Sequence, residues 1–189
     1  MLSTFIFRLS ARMQKINYLL GAAVCRVFYG IEVGVGAYIS LRLRIERNPG
    51  VAPDYFSIGA NTKIKRDCFF GIRDGFLKIG KNVSINQGAN FLIYGPVIIG
   101  DNTRIALNCT LVSFNHIIAS DKKSVVERGN NFKGITIGKN VWIGANVTIL
   151  DGVNISDNCV IGAGSVVSRD IEENTVAVGS PCSAIRSIT

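Results

Sequence analysis

The sequence predicts an all-β fold, a β-helix of hexapeptide repeats, and three observations predict it. Counting every sixth residue from Ile137 gives Ile137, Ile143, Ile149, Ile155, Ile161 and Val167, an unbroken aliphatic series. A second, smaller apolar residue follows four places later at Val141, Val147, Val153 and Cys159. Glycine follows the aliphatic position at Gly138, Gly144 and Gly162, while asparagine recurs at Asn140, Asn146 and Asn158. An α-helix needs apolar residues at alternating steps of three and four, and a half-buried strand needs every second residue. A period of six fits neither. It fits a coil in which each hexapeptide is a short strand plus its corner, its aliphatic side chain stacked inward on the coil below. The glycines and asparagines suit corners that require left-handed backbone angles.

At 189 residues the chain is expected to form one domain with a sizeable core. Its hydrophobic fraction is 48%, yet the uncharged run from Ile16 to Cys25 is too short to span a bilayer. A signal peptide fits poorly, because charges interrupt the apolar stretch. The net charge of +8 points to an anionic partner: a nucleotide-containing cofactor, a membrane surface or an acidic polymer. No basic run interleaved with aromatics is present, which argues against nucleic acid. The five cysteines (Cys25, Cys68, Cys109, Cys159 and Cys182) are far apart and form no CxxC pair. They read as free thiols in a reducing cytoplasm rather than as a zinc site or disulfide framework.

In chain order, residues 1–30 form an N-terminal amphipathic helical segment. Arg8, Arg12, Lys15 and Arg26 are basic, and no acid precedes Glu32. Phe5, Ile6, Leu9, Met13, Ile16, Leu19, Leu20, Val24 and Val27 recur at helical spacing, which suits one helix or two short ones broken at Gly21. Two readings fit this segment. It caps the open end of the coil, as a solenoid requires, or it lies peripherally on an anionic membrane surface through residues 1–29. Residues 31–178 carry the β-helix. Its repeat is ragged to Ile64, with a turn at Asn48-Pro49-Gly50, and regular from Ile79. The phase slips by two residues across Tyr94-Gly95-Pro96 and resumes at Ile99, Ile105 and Leu111. Residues 113–133 are polar and non-periodic, so this stretch must leave the coil as an extruded loop. Residues 179–189 form a C-terminal tail after the turn at Gly179-Ser180-Pro181.

Long loops on compact domains are often functional, and this one holds His116, the only histidine. A histidine can take and return a proton near neutral pH. It sits beside Asn115 at the base of the loop. Glu127 has two readings, orienting the imidazole or standing as a solvated charge. A single histidine excludes a three-histidine zinc site, and no catalytic metal is expected.

The segment GITIGKNVWIGANVTILDGVNISDNCVIGAGSVVSRDIEENTVAVGSPCSAIRSI, residues 134–188, resembles the C-terminal half of hexapeptide-repeat acyltransferases. The likeness is greatest to the maltose, galactoside and nodulation-factor O-acetyltransferases and to those of capsule and lipopolysaccharide assembly. It continues through INQGANFLIYGPVIIGDN, residues 85–102. The resemblance implies a left-handed parallel β-helix, three hexapeptides to a turn, with Ile137 stacked on Ile155 and Ile143 on Ile161. It also implies a homotrimer with the active site shared between subunits.

By the same resemblance, His116 is the general base, and Asn86, Tyr94 and Asn115 approach the acceptor sugar. Trp142 lies against the pantetheine arm, Ala106, Ala145 and Ala163 let coenzyme A approach the backbone, and Ser168, Arg169 and Arg186 lie toward its nucleotide. Two departures stand out: Tyr94 takes the place of an acidic sugar ligand, and the helical N-terminal region of the maltose and galactoside enzymes is not recognisable. The implied activity is acetyl-CoA-dependent O-acetylation of a sugar or glycan in capsule, exopolysaccharide or lipopolysaccharide synthesis. The implied location is cytoplasmic, or peripheral at the inner face of the cell membrane. The alternatives are N-acetylation of a nucleotide-linked amino sugar and a non-catalytic trimeric scaffold at a membrane.

Overall fold

The computed structural model describes residues 2–50, 55–120 and 122–188, with side chains of the first helix described at Met13 and from Ile16 onward. Short strands wind into a parallel solenoid with three faces and about six turns. This is the architecture of the β-helix that the hexapeptide pattern implied, in the left-handed form that the family resemblance implied. The inward rows follow the predicted register, since Ile137 pairs with Ile155 and Ile143 with Ile161. On the second face Ile39, Ile64, Ile85, Ile105, Ile143 and Ile161 form one column of fully buried side chains. Burying each contributes roughly 2 kcal/mol. In the early turns, where the repeat is ragged, aromatics fill the core. Phe56 lies 5.2 Å from Phe70, and Phe70 stacks on Phe91 at 4.6 Å.

The corners behave as their residues dictate. Asn140, Asn146 and Asn158 have φ of 55°, 57° and 59°, and Asn61, Asn82 and Asn102 do the same in earlier turns. The side chains also stack, with Asn140 Nδ2 donating to Asn158 Oδ1 at 2.9 Å. Asparagine tolerates this region and bonds locally. The phase slip at Tyr94-Gly95-Pro96 is a longer corner between the third and first faces, and the strands on either side of it keep their neighbours.

The ends settle one alternative and correct one expectation. Of the two readings of the N-terminal segment, one helix or two short ones broken at Gly21, the first holds: α1, Leu2–Tyr29, is a single helix of 28 residues. The glycine serves packing instead. A Cβ there would lie 1.8 Å from the Ile39 carbonyl oxygen, so its absence lets the helix rest on the coil backbone. Ala22 and Cys25 are buried beneath it. Asn17 Oδ1 accepts from the Leu41 amide at 3.2 Å, and the Arg26 guanidinium donates to the Val33 carbonyl at 2.8 Å. The capping expectation therefore holds for the second half of α1. The pattern expected of Phe5 to Lys15 falls, Met13 aside, outside the described side chains. At the other end the tail is a strand, Ser183–Ser187, antiparallel to Thr175–Val178.

Candidate active site

The extruded segment leaves the coil after Thr110–Val112, at the corner between the third and first faces. Ser113 is fully buried there; its Oγ donates to the Gly95 carbonyl at 3.0 Å and accepts from the Tyr94 and Gly95 amides at 3.2 Å each. The stretch expected to be a structureless loop is ordered as a hairpin. Asn115–His116 pairs antiparallel with Asn130–Asn131, His116 opposite Asn130. Its tip is a one-turn helix, α2, Val125–Arg128, closed by a capping box between Ser124 and Glu127. The Glu127 carboxylate accepts from the Ser124 amide and hydroxyl at 2.7 Å each, which holds it below the usual carboxylate range. It is committed to the cap and does not orient His116.

Asp151 fastens the returning strand from one turn below. Its Oδ1 accepts from the Lys133 amide at 2.9 Å and the Gly134 amide at 2.8 Å, while Oδ2 accepts from Asn115 Nδ2 at 3.3 Å. Gly134 sits at φ +100°, and the Gly152 amide donates to its carbonyl at 2.7 Å. These bonds hold His116 at the base of the hairpin. The ring meets Phe114 edge-on at 5.7 Å, and Phe114 in turn packs on Tyr94 at 4.2 Å. The imidazole is exposed and makes no hydrogen bond among the described residues. A cavity of about 590 Å³ opens before it, lined by Asn115, His116, Ile118, Asn131, Phe132 and Asp151. Opposite His116, the buried Asn130 Oδ1 lacks a partner among the described residues.

The expected site residues fall on two corners. His116, Asn115 and Tyr94 gather where the hairpin leaves, and Ser168 and Arg169 follow the strand Val166–Val167 at the same corner further down. Ala106, Ala145 and Ala163 line the corner between the second and third faces, just after the strands Arg104–Ile105, Trp142–Ile143 and Val160–Ile161. Trp142 points outward there, 59% exposed. A Cβ on Gly144 would sit 2.5 Å from the Ala163 amide nitrogen, so this corner requires small residues for its own packing. The same smallness leaves backbone and the indole face open to a long thin chain. Arg186 is exposed on the last strand of the second face, opposite Val176. Asn86 belongs to the alanine corner, not to the His116 corner, and its Nδ2 donates to the Ile105 carbonyl at 3.1 Å. One chain therefore does not bring Asn86 and His116 together.

Sequence reasoning missed Asp151 and Phe114. Phe114, adjacent to the loop, was within its reach; Asp151 reads locally as an ordinary turn residue. All five cysteines are buried free thiols, and burial pushes Cys25 and Cys68 up to about 11, so none is poised as a nucleophile. No group of three potential metal ligands occurs among the described residues.

A three-faced β-solenoid with one histidine-bearing hairpin defines the class of hexapeptide transferases. The model of that family, bacterial transferase hexapeptide (six repeats), matches residues 134–169. The galactoside O-acetyltransferase of Escherichia coli is 38% identical over 146 residues, 76% of this chain and 70% of that enzyme. The chain belongs to the hexapeptide-repeat transferase family. Among curated relatives it spans from 52% to 70% of their length. An acetyltransferase of the family from Vibrio cholerae, solved with acetyl coenzyme A, superposes with a TM-score of 0.59 at 26% identity, over 88% of this chain and 75% of that one. The fold is also that of AntD, an N-acyltransferase from Bacillus cereus solved with dTDP and coenzyme A, with a TM-score of 0.72 at 21% identity over 88% of each chain.

Proposed function

We propose that this protein is an acetyl-CoA-dependent O-acetyltransferase that modifies a sugar hydroxyl, in the cytoplasmic assembly of a capsule, exopolysaccharide or lipopolysaccharide. The observation that carries the reading is His116: its ring is exposed, without a hydrogen-bond partner among the described residues, and faces a cavity of about 590 Å³. A sugar hydroxyl is a poor nucleophile, and an imidazole within hydrogen-bond reach removes its proton as it attacks. Asp151 and Phe114 fix where that imidazole stands, which supplies orientation without a covalent enzyme intermediate. Acetyl-CoA supplies the thioester: a C–O bond forms, the C–S bond breaks, and the proton held on His116 departs with the thiol.

The alanine corner beside Trp142 would hold the pantetheine arm, and Arg186, Ser168 and Arg169 supply positive charge or hydroxyls for phosphate. Its separation from His116 by a whole face supports a homotrimer in which one subunit's corner meets the hairpin of the next. The 38% identity to a galactoside O-acetyltransferase favours oxygen as the acceptor atom. The test is thiol release from acetyl-CoA against a panel of sugars, nucleotide-sugars and glycolipids, for wild type and His116→Ala. Transfer to a hydroxyl that falls about a hundredfold or more in the variant is expected. Undiminished transfer by the variant, above all to an amino sugar, overturns the general-base assignment. Sedimentation that reads only monomer overturns the shared site.

A further inference from the structure

We propose that the outer face of α1 and the basic groove beside it form a docking surface for an anionic phospholipid bilayer. This inference does not depend on the acyl-transfer reading. The terminal element of a solenoid ordinarily turns a polar face outward. The inward face of α1, at Gly21, Ala22 and Cys25, is buried against the coil. Its opposite face is apolar and open: Met13, Ile16, Leu19, Leu20, Val27 and Phe28 are all more than half exposed. Apart from Phe28, these residues recur at steps of three, four and seven, so they form one stripe along the helix. A cap alone does not require that stripe. No helix among the described residues is long and apolar enough to cross a membrane. A helix of this kind lies in the interface plane instead.

Charge selects the partner. The first 31 residues contain Arg8, Arg12, Lys15 and Arg26 and no acid. A groove of about 600 Å³ runs between α1 and the coil, reached from the apolar stripe at Met13 and lined across from Tyr18 by Arg42, Lys65 and Arg66. One carboxylate offsets these three cations: Asp67 lies 2.8 Å from Arg42 and 3.8 Å from Arg66. The groove therefore keeps net positive charge at the depth where a headgroup phosphate would lie when the stripe enters the acyl boundary. A second copy of this chain would set like charges face to face, which disfavours self-packing here.

The test is flotation of the full chain with vesicles of phosphatidylcholine alone or of phosphatidylcholine with phosphatidylglycerol. Wild type is expected to float only with the anionic vesicles and to lose binding as salt rises. Leu20→Glu with Val27→Glu is expected to weaken binding about tenfold or more. Lys65→Glu with Arg66→Glu is expected to weaken it by about fivefold for each cation lost. Leu20 and Val27 lie on α1, away from both corners of the candidate site, so Leu20→Glu with Val27→Glu should leave Tm and acetyl transfer to a soluble acceptor at wild-type values, and Lys65→Glu with Arg66→Glu should leave Tm unchanged. Three results overturn the proposal. One is failure of wild type to float with anionic vesicles; another is undiminished binding by both double variants. The third is self-association of wild type without lipid that Leu20→Glu with Val27→Glu abolishes, which would assign the face to a second copy.

Discussion

The carboxylate of Asp151 accepts three donors from the segment that carries His116: the amides of Lys133 and Gly134, and the side chain of Asn115. Hydrogen bonds to a charged acceptor contribute about 1.5–3 kcal/mol each at the upper end, and less where water competes. Asp151→Asn keeps the shape but removes the charge and turns one acceptor into a donor facing donors. Coil packing does not depend on this side chain, so Tm should move by only a few degrees. The hairpin base should loosen, and kcat/KM should fall about tenfold or more through misplacement of the imidazole. Steady-state kinetics beside a thermal melt separates these effects. A collapse of Tm, or unchanged kcat/KM, would remove Asp151 from its positioning role. The sequence revealed His116 because it is unique and sits where the six-residue phase fails. Asp151 was hidden because its partners lie 17 to 36 positions away. Only the stacking of one turn on the next makes them neighbours.

At the scale of elements, α1 shows how far local signals reach. Helical spacing identified the segment, and propensity left a break at Gly21 open beside a single helix, since glycine costs helix stability relative to alanine by about 1 kcal/mol. Tertiary packing overrides that cost: the helix continues because its missing side chain admits the Ile39 carbonyl. Gly21→Ala therefore opposes the propensity scale. The new methyl would stand 1.8 Å from that oxygen, and the helix must shift away from the coil. Such overpacking costs about 1–3 kcal/mol, which for a chain of this size lowers Tm by roughly 5 °C. Faster proteolysis at the N-terminal end should accompany it. A variant that melts at or above the wild-type temperature would show that α1 does not rest on the coil as described. The strands were easier to read, because each inward position repeats its neighbour's chemistry. The exceptions were the hairpin and the last strand, whose antiparallel partners follow no repeat.

For the whole molecule, the proposed function puts stability and activity in separable parts. A solenoid is quasi-one-dimensional: each turn is held by the turns above and below it. Val97 pairs with Ile135 and Leu92 with Val112, so the chain on both sides of the hairpin stays in register with the coil above. By that register Ser113 matches Ile93 and Gly134 matches Pro96, so the upper coil covers the hairpin's span with Tyr94-Gly95, and Gly95 lies against both Ser113 and Gly134. The ends of the insertion are therefore close enough to be joined by a similarly short corner. Replacing residues 114–133 with two residues should leave the inward columns intact. The melt should stay cooperative, with Tm within a few degrees of wild type. The same variant loses His116, Asn115 and Phe114, so acetyl transfer should fall to background. Coenzyme A binding would report on the alanine corner by itself: retained affinity supports a donor site built only from coil residues, and lost affinity means the hairpin closes over the donor as well. A chain that no longer folds would reverse the division, making the hairpin a structural member of the coil rather than the part that carries its chemistry.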